Sequence, residues 1–324
     1  MIFRKSVQRK GGRRISPLQV SFGGVSPRNT RLRGQSIIEY VLIIAIIGLV
    51  IVFAGPGVAG AIRNQFNLVG NTVDSGTGGD SFMNAEDKAH REAMKNIAAK
   101  DVKDWTVDEL KAVSTDISKN GTSSVVYDKA KAALGRYLWR VELNNGHSLG
   151  FCIVGINHDD LADGSGKAGL TFSTTSFEYR YGKVRMNPSG ATGGWDKSEL
   201  RQRLNSGDLW NLFPADFTKH IVTVKKPTVN TGDSEPTISL DKMFLPSRTE
   251  LYGDVDSDGT QYEYYAKWGV SKNDCRKAFA GTRFFMRAEN PTYPGMYGCP
   301  WISDGSPDYN SQSEKLVANP YFCF

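Results

Sequence analysis

Reactive side chains are scarce in this chain. Its 324 residues include four cysteines and four histidines. Cys152, Cys275, Cys299 and Cys323 form no C-x-x-C pair and stand at no Cys/His spacing that would hold zinc. His90, His147 and His220 are isolated in sequence and read as surface or interface histidines. There is no Walker A, and the spacings G-x-S-x-G (146–150) and G-x-G-x-x-G (164–169) occur only between segments that read as strands, not at a strand-to-helix turn. A nucleophile elbow, a phosphate loop and a dinucleotide fingerprint are therefore without sequence support, and no cofactor is expected. Negative charge is absent from residues 1–34, which hold nine bases and no acid. Charge of either sign is absent from Tyr40 to Ile62.

These last two absences organise the chain. The net charge of +6 resides in the N-terminal segment, and the remaining 290 residues are slightly acidic. A basic nucleic-acid-binding domain would carry its charge on the folded body, so no nucleic-acid partner is expected. The 23 uncharged residues would extend about 35 Å as a helix, enough for a bilayer core of about 30 Å. Arg33 and Arg63 bracket the stretch. The basic flank predicts an N-terminus in the cytoplasm and the bulk of the chain outside. The run is too long for an ordinary cleaved signal peptide. The reading is thus a single-pass membrane precursor with a mature protein at the cell surface.

Glu39 lies in GQSIIEYVLIIAI, at the edge of this apolar run. A carboxylate there is costly unless it reaches the interface or meets a partner. Cleavage after Gly34 would create an α-amine on Gln35, mostly cationic near neutral pH, which could pair with Glu39 of the same or a neighbouring subunit. The basic leader, Gly34 and the phrase Gln-Ser-Ile-Ile-Glu-Tyr resemble the type IV prepilins, specifically the Glu-Tyr form of the Flp-type pilins of tight-adherence systems. The resemblance implies a prepilin peptidase cutting between Gly34 and Gln35, an assembly role for Glu39 beside Tyr40, and other pilin subunits as partners. Pro56 stands where many such pilins kink their helix. Simple Flp pilins end soon after this helix, whereas this chain continues for about 250 residues.

Five segments are predicted: a basic leader 1–34, a membrane and pilin helix 35–66, a Gly/Ser/Asp/Thr-rich linker 67–84, a helical stalk 85–136 and a head 137–324. In the stalk, AEDKAHREAMKNIAAK favours helix, and Thr106 with Glu109 forms a capping box ahead of a second helix reaching about residue 118. In the head, strands are expected at 137–143, 149–156, 170–175, 177–186, 220–226 and 242–247. Short helices are expected at 197–205 and 209–217. The fold class is α+β, with a long N-terminal helix and a mixed head. Trp195, Trp210, Tyr262 and Tyr264 are candidates for its core.

GINHDDLADGSGKAGLTF (155–172), GGWDKSELRQRLNSGDLWNLFPADF (193–217), KMFLPSRTELYG (242–253), GTQYEYYA (259–266) and PYFCF (320–324) resemble a bacterial surface domain, the domain of unknown function family 6273. The layout suggests a C-type-lectin-like fold, in which N- and C-terminal strands pair and a loop-rich face binds. The family's Trp-x-Arg-Ser-Pro phrase is replaced here by Phe285-Met286-Arg287. The run after it is rich in paratope-like residues, so Arg287, Asn290, Tyr293, Tyr297, Trp301 and Tyr309 are candidate ligand contacts. Local packing of the same aromatics is the other reading.

Two acidic phrases invite site chemistry. DVDSDG (254–259) begins like a calcium loop, yet its twelfth position is Tyr265, so only a looser calcium site on Asp254, Asp256 and Asp258 is considered. NHDDLADGSG offers His158, Asp159, Asp160 and Asp163, read as a turn whose Asp side chains satisfy backbone and whose Gly164 and Gly166 supply positive φ. Four cysteines in an exported protein suggest two disulfides, with Cys275–Cys299 and Cys152–Cys323 as the favoured pairing; four free thiols are the alternative. Asn120-Gly121-Thr122 fits a glycosylation sequon, a frequent chance match. The functional expectation is a non-enzymatic pilus subunit displaying a binding head toward a surface protein or glycan. The alternatives are an anchored surface hydrolase, or a minor pilin or pseudopilin that regulates assembly or secretion.

Overall fold

The computed structural model describes residues 84–175, 181–191, 193–253, 256–274, 283–300 and 307–324. It opens with three helices. α1 (Ala85–Ala99) starts where the Asn84 side chain accepts a hydrogen bond from the Asp87 backbone N–H, with Glu86 and Asp87 in its first turn. α2 (Val107–Asn120) begins at the capping box expected from Thr106 and Glu109, with both reciprocal hydrogen bonds formed. α3 (Tyr127–Ala132) follows. Leu110, Val113 and Ile117 recur on one face of α2 and are fully buried.

This helical segment is not a stalk apart from a head. Leu110, Val113 and Ile117 belong to the same buried cluster as the strands of the sheet. Ser114 on α2 donates to the Phe324 carbonyl and accepts from the Leu170 N–H. His220 meets Asp108 of α2 at 2.9 Å, and Asn157 donates to the Ile117 carbonyl. The sequence hides this because the amphipathic stripe of α2 shows only that one face is buried, not what covers it.

Among the described residues, nine strands and four further helices follow. They are β1 (Trp139–Glu142), β2 (Ser148–Ile156), β3 (Leu170–Thr175), α4 (Glu199–Asn205), α5 (Ala215–Thr218), β4 (Val224–Thr228), β5 (Thr237–Asp241), β6 (Met243–Phe244), α6 (Arg248–Tyr252), α7 (Glu263–Lys267), β7 (Met296–Pro300), β8 (Pro307–Ser311) and β9 (Tyr321–Cys323). Five strands make one sheet in the order β1-β2-β3-β9-β6, all neighbours antiparallel. β4–β5 and β7–β8 are two-stranded ribbons. Both faces of the sheet are covered. Phe151, Phe172, Phe322 and Phe324 pack with Phe217 at ring distances of 4.8–5.6 Å. Side chains alternate along a strand, so Tyr321 points the other way, to Tyr262, Tyr265 and Phe244. With polar and apolar residues alike enclosed, β2 and β3 show no polar alternation.

Several expectations are corrected. Among the described residues no helix is long and apolar enough to cross a membrane, and α1, at 15 residues, is the longest. The fold there is a sheet-centred α+β body with short helices, which overturns the fold class built on a long N-terminal helix and the single-pass membrane localisation. The segment 35–66 on which those expectations fell, with Gly34, Gln35, Glu39 and Tyr40, lies outside the described residues. The lectin-like layout also fails: β1 pairs only with β2, while β9 lies between β3 and β6. The expected helix 209–217 is two pieces, a 3-10 turn (Trp210–Leu212) and α5, because Pro214 between them has no N–H to continue the first. The expected strand 177–186 is described only from Tyr181 on, where Val184 makes a lone bridge to Leu316.

The contact between α2 and the sheet is close at Gly169. A Cβ there would stand 1.9 Å from the Ser114 carbonyl oxygen, a backbone atom that cannot swing aside. Gly169→Ala is expected to lower stability by about 1–3 kcal/mol in chemical denaturation, the range for overpacking. Unchanged stability would contradict the packing of α2 on the sheet.

Candidate functional site

The residues proposed to contact a ligand do not converge on one face. Arg287 is fully buried, as is Tyr297. Tyr309 is half-buried, with the Arg248 guanidinium 4.8 Å from its ring centre and bonded to its hydroxyl. Asn290 turns its side chain inward to its own loop. Only Tyr293, 64% exposed, faces solvent fully among the described candidates. Trp301 lies outside the described residues, as do Asp254 and Cys275. The sequence could not separate these residues, because aromatics suited to a binding surface are equally suited to a core.

The disulfide expectation is corrected for the described cysteines. Cys152, Cys299 and Cys323 carry free thiols. Register explains why Cys152 and Cys323 stay apart: Cys152 pairs with Ser173, and Cys323 with Thr171, so β3 runs between them. Two strand spacings amount to about 10 Å, beyond the reach of a disulfide. Burial pushes the Cys152 thiol up to about 12, leaving it unreactive as a nucleophile.

What the fold does bring together is a sealed set of charges that the sequence never signalled as a group. Lys226 enters from β4, whose inward row is Val224, Lys226 and Thr228. Asp159 enters from the turn after β2, Glu250 from α6, Tyr262 from the start of α7 and Arg287 from the loop before β7. The Lys226 ammonium has three protons and three acceptors. They are Asp159 Oδ1 at 2.5 Å, Glu250 Oε1 at 2.5 Å and the Tyr262 hydroxyl at 3.2 Å. It also sits 4.1 Å from the centre of the Phe244 ring. Arg287 clasps both oxygens of Glu250 and spends its remaining N–H groups on Thr228 and on the carbonyls of Pro227, Leu245 and Asp258. Asp159 further accepts from Thr171 at 2.6 Å and from Tyr262, with the Cys323 thiol 3.4 Å away.

Burial alone would push both carboxyls up and the ammonium down. The partners win. Lys226 holds Asp159 well below the ordinary carboxylate range, and Arg287 with Lys226 does the same for Glu250. Asp159 and Glu250 in turn raise Lys226. Burial, reinforced by the neighbouring carboxylates, keeps the Tyr262 phenol neutral well above its usual range.

The acidic loop read as a turn divides by role. Asp159 is sealed in this network, whereas Asp160 is exposed and pairs with Lys167 at 2.9 Å. Asp163 accepts from Ser165 and shapes the turn. His158 stacks on Tyr262 at 4.1 Å and lies 3.4 Å from Glu263. Its burial opposes protonation, but Glu263 and Asp159 raise its pKa overall. Among the described residues no group of three His, Cys, Asp or Glu side chains converges to hold a metal.

Sequence signals for this network were present but local. Ser247 and Glu250 have capping-box spacing, and that box forms. Lys226 follows an alternating strand pattern at an inward position. Neither signal reveals that three further segments complete the set.

Breaking the network strands its partners. Lys226→Met should cost about 3–5 kcal/mol, because Asp159 and Glu250 lose their shared counter-ion in a sealed site. Both carboxyls have folded pKa values below their unfolded ones. Their contribution is therefore present above about pH 4 and is lost as pH falls through the folded values. Chemical denaturation between pH 7 and 3 should show this acid loss in the native chain and a shallower slope in Lys226→Met. An equal slope in both would contradict the ionised network.

The five residues at the centre of the set are split by the comparison with known proteins. No curated protein and no solved structure matches the chain. Residues 173–290, which contain Lys226, Glu250, Tyr262 and Arg287 but not Asp159, β1, β2 or β9, match the family model described as domain of unknown function (DUF6273).

Proposed function

We propose that the chain is a display protein whose sheet-centred body is a binding module rather than an enzyme, and that the Asn290–Gly295 turn is its contact point. The observation that carries this reading is one exposed tyrosine on a pinned loop. Tyr293 projects into solvent, while the backbone around it is held at every step. Asn290 Oδ1 accepts from the N–H groups of Thr292 and Tyr293 at 2.8 and 3.0 Å. Glu289, buried, accepts from Gly295 and Thr231. Thr231 donates to the Asn290 carbonyl at 2.6 Å. A rigid aromatic loses little conformational freedom on binding, which is how such side chains act as anchors.

The ligand class favoured is a surface glycan. A tyrosine ring covers the apolar face of a sugar, and the adjacent exposed Thr292 suits its hydroxyls. Delivery as a subunit of a type IV, Flp-like filament completes the reading. It is supported by the sequence at Gly34, Gln35, Glu39 and Tyr40, with prepilin peptidase and other pilin subunits as the partners implied.

A glycan array probed with the labelled full chain tests the binding half. Tyr293→Ala should weaken every glycan bound by the native chain about 30-fold or more, the loss of an interfacial anchor of about 2 kcal/mol. Equal binding by Tyr293→Ala, or no glycan bound by the native chain, would overturn it. N-terminal mass spectrometry of the protein from its native cells tests the filament half. A first residue of Gln35 is expected; any other first residue would contradict processing at Gly34.

A further inference from the structure

Among the described residues, β1 is an open edge of the five-stranded sheet. Register fixes which of its backbone groups face outward. Leu143 donates to the His147 carbonyl, and β1 then pairs Val141 with Leu149 and Trp139 with Phe151. Hydrogen-bonded pairs alternate along an antiparallel ladder, so Trp139 and Val141 spend their N–H and C=O groups on β2. Those of Arg140 and Glu142 point away from the sheet. Among the described residues nothing bonds to them. Toward the hairpin turn the edge is closed, because the Asn144 N–H donates to the Leu212 carbonyl at 2.7 Å.

The same two residues form an exposed row of side chains. Arg140 and Glu142 are exposed, whereas Trp139 and Val141 are buried. Among the described residues neither Arg140 nor Glu142 has an ion-pair partner. Leu138, next in the row, is 57% exposed. An edge strand is usually protected from a second chain by charge. Charge of one sign would repel a second copy, but β1 carries one charge of each sign two residues apart. Paired antiparallel with itself about Val141, the strand sets Arg140 opposite Glu142 of the other copy, and Glu142 opposite its Arg140. Moving one strand by two residues would set Arg140 against Arg140, or Glu142 against Glu142, and like charges directly opposite are unfavourable. Charge therefore selects one register. That register also brings the outward N–H and C=O groups of these residues face to face, for four backbone hydrogen bonds.

We propose that β1 is a self-association edge whose partner is a second copy of this chain, paired antiparallel about Val141 so that two five-stranded sheets join edge to edge. A two-fold axis between the two Val141 residues relates the copies, the isologous arrangement common to homodimers. Asn144 then faces Leu138 of the other copy, a residue that precedes β1, so the ladder ends before it reaches the Leu212 carbonyl. The overlap is short, which places the contact in the weak, transient class below about 1,200 Å² of buried surface. It uses neither the Tyr293 loop nor the Lys226 network.

Energy transfer between donor- and acceptor-labelled full chains, followed over a concentration series, tests the proposal. Native chains should associate saturably. Arg140→Glu alone and Glu142→Arg alone should each weaken association at least about tenfold, since like charges then oppose each other at both pairs. An equimolar mixture of the two variants should associate like the native chain, because each supplies the charge that the other lacks. The double variant Arg140→Glu/Glu142→Arg should do the same. Recovery in the mixture also shows that both variants are folded. Native chains that do not associate, leaving the edge to an extended peptide of another protein, would overturn the pairing. So would association unchanged by either reversal, or a mixture no stronger than its components.

Discussion

Lys226 is the point on which the rest of the structure depends. Its ammonium is 1% exposed and gathers the turn after β2, helix α6 and the start of α7 through three hydrogen bonds. Arg287 extends the same set to the loop before β7 and to the carbonyls around β4 and β6. No single apolar contact could impose so many positions at once, because apolar packing is non-directional whereas each of these bonds has a partner and an angle. A buried ionic cluster is weak evidence for stability as such, since a well-packed apolar replacement can match it. Its service here is positional: six segments of a loop-rich body are held in one arrangement.

The network also accounts for a feature that hydrophobic patterning gets backwards. In the β4–β5 ribbon the inward residues are largely polar, Lys226, Thr228, Ser239 and Asp241, all buried. The outward row shows Ile238 and Leu240, 61% and 53% exposed. Asp241 repeats the logic of the charged core on a smaller scale, taking Trp195 Nε1, Arg201 and Ser239. The ribbon faces inward by its polar side because the acceptors and cations it must meet are inside. The charged groups of this network are enclosed, and for that reason the contact point proposed above is the pinned loop carrying Tyr293.

Much of the scaffold was legible in the sequence. Strands β1, β2 and β3 and helices α1, α2 and α4 were read close to their bounds, since each carries its own periodicity or cap. Thr106 with Glu109 is such a local signal, and so is the apolar stripe of α2. What was not legible is whatever needs two distant segments. β5 does alternate, but with its apolar residues Ile238 and Leu240 outward, and β7 and β8 carry no alternating apolar pattern. Arg287 looked like an exposed contact because nothing near it in sequence announces Glu250. Cys152 and Cys323 looked like a bridge until register placed β3 between them. Glu39 and the apolar run around it fall outside the described residues, so the pilin motif remains a statement about sequence.

The central claim is that Lys226 is charged inside the protein and held so by Asp159 and Glu250. Nitrogen-15 NMR of the side-chain Nζ, followed through a pH titration of the intact chain, measures this directly. The account predicts an ammonium signal that persists above the ordinary lysine range, near pH 10.4. A Lys226 amine already neutral between pH 7 and 9 would contradict it.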